Sequence, residues 1–134
     1  MALKKLIYSS RRIDAGADDL DAILAASQRN NRADGITGVL LHDRKRFIQF
    51  LEGDHDAIAR CFLRIALSPD HTDIQIGALD DSAIRVFMGW DMQGIGATRT
   101  RPSLTTLWRR LMAAPQGDRL SQFESALLDM LPPR

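Results

Sequence analysis

An α+β fold is predicted for this chain, with two helices covering one face of a five-stranded mixed sheet. Three observations predict it. Strand-like apolar runs alternate with helix-spaced segments in the order βαββαβ, and one more strand-like run follows. A polar turn, Asp43-Arg44-Lys45, separates two of those runs as a hairpin requires. At 134 residues the chain can build one sizeable core but not two comfortable domains.

Taken in order, Lys4–Ser9 is apolar and β-favouring and reads as the first strand, with Tyr8 on the same face as Leu6. Asp18 and Asp19 can cap a helix in which Leu20, Ile23, Leu24 and Ser27 share a face. It is expected to run to about Asn30, with Asn30 and Asn31 at its exit. Gly35–His42 and Arg46–Glu52 form the hairpin. Asp54 or Asp56 then caps a second helix marked by Ile58, Cys61, Phe62 and Ile65, and Pro69 ends it. Strands are expected at Ile74–Leu79 and Arg85–Met92, giving a βαββαββ sandwich that resembles the ferredoxin-like arrangement. Gln93–Pro102, interrupted by Gly94, Gly96 and Pro102, reads as a linker. A helical appendage follows, with Leu104, Leu107, Trp108 and Leu111 on one helix and Leu120, Phe123, Leu127 and Leu131 on another. Helices this short are marginal alone, so they must bury their apolar faces on the sheet's other side or on a partner chain.

Composition narrows the function class. Hydrophobic residues make up 45% and charged residues 26%, and Lys plus Arg at 18 balance Asp plus Glu at 17. This is a globular composition without the basic excess of a nucleic-acid binder. Arg99, Arg101, Arg109 and Arg110 read as a solvated helix face. The single cysteine, Cys61, excludes an intramolecular disulfide. No signal peptide, lipid anchor or long apolar span is visible, so the expected location is the cytoplasm, away from membrane.

The chemistry centres on Phe47-Ile-Gln-Phe-Leu-Glu-Gly53. Side chains alternate across a sheet, so Phe47, Gln49 and Leu51 face one side and Ile48 and Phe50 the other. A glutamine amide buried there without partners would cost about 1–3 kcal/mol. Tyr8, on a strand that can neighbour this one, is a candidate partner. Singly, the features have plain structural readings: a buried Tyr–Gln pair, a helix-end device at Asn30-Asn31, and a solvated loop histidine at His71. His42, His55, His71 and Cys61 show no metal-ligand spacing, and there is no phosphate loop, dinucleotide fingerprint or nucleophile elbow.

Together the motifs are more specific. Ser27-Gln-Arg-Asn-Asn31, Asp34-Gly-Ile-Thr-Gly-Val-Leu-Leu41, Phe47-Ile-Gln-Phe-Leu-Glu-Gly53 and Phe87-Met-Gly-Trp-Asp-Met92, with Tyr8 near the start, resemble the BLUF domain, a blue-light sensor using FAD. The resemblance covers about residues 2–93 and is similar to short stand-alone members, in which a pair of helices follows the sensor. It implies a sensor domain over 1–93 and a linker with two helices over 94–134. By resemblance, Tyr8 gives an electron and proton to the excited flavin, and Gln49 lies between that phenol and the flavin edge. Asn31 binds the pyrimidine end with Asn30 beside it, and Arg64 lies near the same end. Ile23 and Ile65 flank the ring, His71 belongs to the cofactor site, and Trp90 and Met92 report the state of the glutamine. FAD is the implied cofactor, with FMN and riboflavin as smaller alternatives. One segment departs from the family pattern. Ser68-Pro-Asp70-His71 carries serine where many members have an acid and Asp70 where they have arginine, which leaves Arg64 or Arg29 to compensate.

The expected function is therefore a photoreceptor that is not an enzyme. It signals by contact to a downstream protein, since no output domain is visible, and forms a homo-oligomer through its C-terminal helices. Two other classes compete. An acylphosphatase-like hydrolase would use the loop Ser9-Ser-Arg-Arg-Ile13 to cradle phosphate. A light-insensitive interaction module would use Trp108, Leu111 and Phe123 as a dimer surface.

Overall fold

The computed structural model describes residues 3–13, 18–69, 71–82, 84–87, 93–96 and 103–130. Its elements are β1 (Leu3–Arg12), α1 (Asp18–Asp34), β2 (Thr37–His42), β3 (Arg46–Asp54), α2 (His55–Ala66), β4 (His71–Ser82), β5 (Gln93–Gly96), α3 (Leu104–Ala113) and α4 (Arg119–Met130). The strands form one sheet in the order β4-β1-β3-β2-β5, antiparallel except for the parallel pair β2 and β5. This is the expected βαββαββ architecture.

Local chemistry sets the connections. In the hairpin, Asp43 Oδ1 accepts from the backbone N–H groups of Lys45 and Arg46, both at 2.8 Å, closing the turn between His42 and its partner Phe47. Helix α1 runs past Asn30 and Asn31, which lie inside it rather than at its exit. It ends at Gly35, whose φ of 69° suits glycine. There the Ile36 N–H reaches back to the Asn31 carbonyl at 2.8 Å and the Gly35 N–H to that of Arg32 at 3.4 Å, a Schellman closure. Asp54 occupies the N-cap position of α2 without a side-chain bond, and Asp56 lies in the first turn.

Three expectations are corrected. The fifth strand is Gln93–Gly96, not Arg85–Met92: residues 84–87 form bends, and 88–92 lie outside the described residues. The expected linker thus begins as a strand, supported by the open edge of β2, and residues 97–102 lie outside the described residues. Strand β4 is longer than Ile74–Leu79, and His71 opens it opposite Arg12 rather than standing in a loop. The Ser9–Arg12 stretch is no phosphate loop either. It pairs with β3 residue by residue, Ser9 with Ile48, Ser10 with Phe47 and Arg11 with Arg46.

The sheet separates two cores. On one face, α1 and α2 cover Leu6, Tyr8, Leu40, Phe47 and Leu51. On the other, α3 and α4 bury Ile7, Val39, Leu41, Ile48, Phe50 and Phe87. Helix α3 starts at the hairpin, where Ser103 accepts from the Thr106 N–H and Asp43 Oδ2 from the Leu104 N–H, each at 3.2 Å. Trp108 donates its indole N–H to Gln75 at 2.9 Å, and Arg119 donates to the Gly77, Met112 and Ala114 carbonyls. Trp108, Leu111 and Phe123 are buried against the sheet of their own chain. They therefore do not supply the dimer surface expected of an interaction module; the same apolar stripes are satisfied within the chain. Leu131 lies outside the described residues.

Candidate functional site

The site is built from the centre of the sheet outward. Register places Tyr8 of β1 directly opposite Gln49 of β3, both buried, and the Tyr8 hydroxyl donates to Gln49 Oε1. Burial pushes the phenol far above the ordinary tyrosine range, and Cys61 adds to the effect, so Tyr8 holds its proton and acts as a donor. The amide oxygen faces the phenol, so the NH2 of Gln49 projects from the opposite side of a planar group. The edge of Phe62 packs on the Tyr8 ring at 6.1 Å between centroids, with the planes at 81°.

Above this pair lies a cavity between α1 and α2. Helix α1 contributes Ile23, Ser27, Asn30 and Asn31, spaced i, i+4, i+7 and i+8 so that they share one face. The α2 side contributes Cys61, Arg64 and Ile65, and Ser68 follows at i+7 just beyond the helix end. Leu40 and Phe47 complete the floor. Asn31 is 1% exposed, and its Oδ1 lies 3.7 Å from the Cys61 thiol. Burial raises the Cys61 pKa against the opposing pull of Arg64, and Asp34 adds to the rise, so the group stays a thiol. Asp34 ties the two helices, lying 3.2 Å from Arg64 and 3.7 Å from Arg60.

His71 closes one end. Its Nε2 donates to the Ile65 carbonyl at 2.7 Å, and its Nδ1 is hydrogen-bonded with the Ser10 hydroxyl at 2.6 Å. The ring also stands 6.3 Å from those of both Tyr8 and Phe47. It is a fixed wall of the cavity, not the solvated histidine that its neighbours in sequence suggest.

Eight of the expected site residues therefore line one cavity: Tyr8, Ile23, Asn30, Asn31, Gln49, Arg64, Ile65 and His71. Trp90, Met92 and Asp70 lie outside the described residues. Ser68 lines the cavity despite replacing an acid, and Arg29 is exposed. Cys61, Ala26, Leu40 and Phe47 were not singled out for the site. The helical phase of Ile23 and Asn30 would have found Ala26, and that of Ile65 would have found Cys61. The donor set matches a planar heteroaromatic ring, with aliphatic side chains from two helices and, around them, three amides, three hydroxyls and a guanidinium to meet alternating carbonyl and N–H groups.

Residues 3–93 match the family model described as "BLUF: Sensors of blue-light using FAD". The chain belongs to the BLUF family. It is a flavin-binding blue-light sensor domain, and FAD is the family's flavin. A curated relative, photoactivated adenylate cyclase subunit beta of Euglena gracilis, is 46% identical over 56 residues, 42% of this chain but 6% of that protein. The chain thus spans a small fraction of the curated relatives it matches. The solved BLUF protein BlrB, in its dark state, superposes with a TM-score of 0.82 at 27% identity, covering 97% of this chain and 98% of that one. Klebsiella pneumoniae BlrP1, solved with FMN and cyclic diGMP, gives a TM-score of 0.72 at 32% identity, covering 95% of this chain and 34% of that one. Among the described residues, no helix of this BLUF chain is long and apolar enough to cross a membrane.

Proposed function

We propose that this chain is a photoreceptor whose switch is the Tyr8–Gln49 pair and whose output is contact with a partner protein. The observation that carries the reading is the buried hydrogen bond from Tyr8 to the Gln49 carbonyl oxygen on the floor of the cavity. A bound flavin supplies absorption in the blue and an excited state that takes an electron. Tyr8, held protonated, is the residue placed to act as donor: it would give an electron and its phenolic proton to a bound, excited flavin and take both back from it when the cycle closes. Loss of that proton removes the hydrogen bond holding Gln49. The amide then rotates or changes tautomer, exchanging the sides on which it donates and accepts. The exchanged amide would turn its donor toward the cavity, where it could meet an acceptor of a bound flavin and shift the absorption to longer wavelength.

The remaining residues hold the ring. Asn31, with Asn30 and Arg64, would meet the pyrimidine end, Ile23 and Ile65 would pack on the ring from two helices, and His71 fixes the end of α2 against β1. Trp90 and Met92 stand in the segment that would sense the amide. The chain turns over no substrate of its own in this reading. Adenylate cyclase in the Euglena relative's name belongs to a protein of which the match is 6%, and here the signal passes to a separate cytoplasmic partner, with self-association as a further output. FAD is the cofactor; FMN and riboflavin carry the same ring, and the departures at Ser68 and Asp70, which bear on the ribityl or phosphate side, would let a smaller flavin suffice.

The deciding experiment is the visible spectrum of purified protein before and after a blue flash. A flavin spectrum with a small red shift that reverses in the dark is expected, and Gln49→Leu should keep the flavin and lose the shift. Protein that stays colourless with added FAD, FMN and riboflavin would overturn the reading, and a shift retained in Gln49→Leu would overturn the role of Gln49.

A further inference from the structure

On the side of β3 away from the cavity, the chain buries charge. Glu52 is fully buried and Lys5, opposite it on β1, is 3% exposed. The Glu52 carboxylate accepts from the Val86 N–H at 2.8 Å, the Phe87 N–H at 2.6 Å and the Thr37 hydroxyl at 2.8 Å. Lys5 Nζ lies 3.9 Å from Glu52 and 2.8 Å from Glu124 of α4. Arg85 adds bonds to the Glu52 carbonyl at 3.2 Å and to Thr37 at 3.0 Å. Desolvating these charges is costly, and the Glu52 carboxylate offsets part of that cost by accepting from two backbone N–H groups of the 86–87 segment that an apolar side chain would leave unpaired.

A second set of contacts joins the same three elements. Phe50, the residue after Gln49, meets the edge of Phe87 at 5.1 Å and stacks with Phe123 of α4 at 6.2 Å and 17°. Lys5 Nζ stands 5.9 Å from the Phe50 ring centre, linking the aromatic and ionic sets. Beside Gln49 on β3, then, Phe50 touches both the 86–87 segment and α4, and Glu52 holds the 86–87 segment directly and reaches α4 through Lys5.

We propose that Glu52 is a positioning residue of the light response, and that the Lys5–Glu52–Glu124 cluster, together with Phe87–Phe50–Phe123, carries a change at Gln49 to helix α4. The inference rests on the photoreceptor reading and adds the route and the receiving element. When the Gln49 amide exchanges its partners, a small displacement of β3 moves Phe50 and Glu52 with it. Neither can move alone: the carboxylate holds two backbone N–H groups on one side and, through Lys5, the α4 carboxylate on the other. The element that ends up displaced is α4.

The test uses the full chain loaded with FAD. Red shift, dark recovery and amide hydrogen exchange over 119–130 are measured in light and dark. The wild-type protein is expected to show a several-fold light-dependent change in α4 exchange. Glu124→Gln, remote from the cavity, should keep the full red shift and lose most of that change. Glu52→Gln places an NH2 against one of the two backbone N–H groups and should alter the dark-recovery rate several-fold with flavin still bound. A wild-type α4 response in Glu124→Gln overturns the proposal, as does an α4 that ignores light in a wild-type protein that red-shifts, or an unchanged recovery in folded Glu52→Gln. If Glu52→Gln does not fold by circular dichroism, Glu124→Gln decides alone. A wild-type protein without any red shift defeats the photoreceptor reading itself, a separate result.

Discussion

The two faces of the sheet are built from alternate residues of the same strands, yet they solve opposite problems. On one face Tyr8, Leu40, Phe47 and Gln49 stop short of α1 and α2 and floor a polar-edged cavity. On the other, Ile7, Ile48, Phe50 and Glu52 are packed shut by α3 and α4. Each face also carries its own buried polar group from β3, the neutral Gln49 toward the cavity and the charged Glu52 toward the closed side. A neutral amide can exchange donor for acceptor at little cost; a carboxylate with three hydrogen bonds cannot. One face is suited to change state and the other to hold a framework against which the change registers.

The strongest way to break that contrast is to empty the closed face. Phe123→Ala should cost about 3–5 kcal/mol, read as a lower urea midpoint, because the ring is 1% exposed and stacked on Phe50. A loss as small as that of a surface change would mean that α4 is not a structural half of the core. Next comes the fit of α3 on β4. Gly77 sits in a bulge, and a Cβ there would lie 2.7 Å from the Trp108 ring. Gly77→Ala should destabilise by about 1–3 kcal/mol, and adding Trp108→Phe should recover much of it, a coupling visible in a double-mutant cycle of thermal melts.

On the cavity face, Tyr8→Phe should cost only about 1 kcal/mol while abolishing the light-induced shift, the reverse of the closed-face pattern. An unchanged photocycle in that variant would require another electron donor. The same variant tests the pH dependence. The folded-state pKa of Tyr8 is raised, so its contribution to stability is complete below about pH 10 and is lost as pH rises above that value, where the unfolded chain ionises first. Urea midpoints of wild type should therefore fall more steeply than those of Tyr8→Phe above pH 10. The smallest effect belongs to Asp34→Asn. It removes ion pairs to Arg60 and Arg64, which are 58% and 40% exposed, and should cost about 1 kcal/mol or less, with the difference shrinking in salt.

Much of this was legible in the residues. The nearly continuous apolar run around Gln49 follows from a strand buried on both faces, and the period-3.6 runs of α2, α3 and α4 from one buried face each, so the elements declared themselves. The cavity's amide and aliphatic groups could be named because the motif spacing carries them. The failures share a cause. Gln93-Gly-Ile-Gly96 has no strand signal of its own: it is a strand because β2 offers an open edge, and Gly94 is there because a Cβ would come within 2.9 Å of Leu24 of α1. Asn31 reads as a helix exit but lies inside α1, where its carbonyl serves the closure at Gly35.

By itself, then, the sequence determined the order of elements, the two-faced character of β3 and the family to which the motifs belong, since these follow from local periodicity and residue chemistry. Tertiary structure decided what each face met. Only register could set Tyr8 opposite Gln49, bring His71 between Ser10 and Ile65, and turn the apolar stripes of α3 and α4 inward onto the sheet. Those outcomes depend on which surface reaches a side chain first across many residues of intervening chain, and no window of sequence contains both partners.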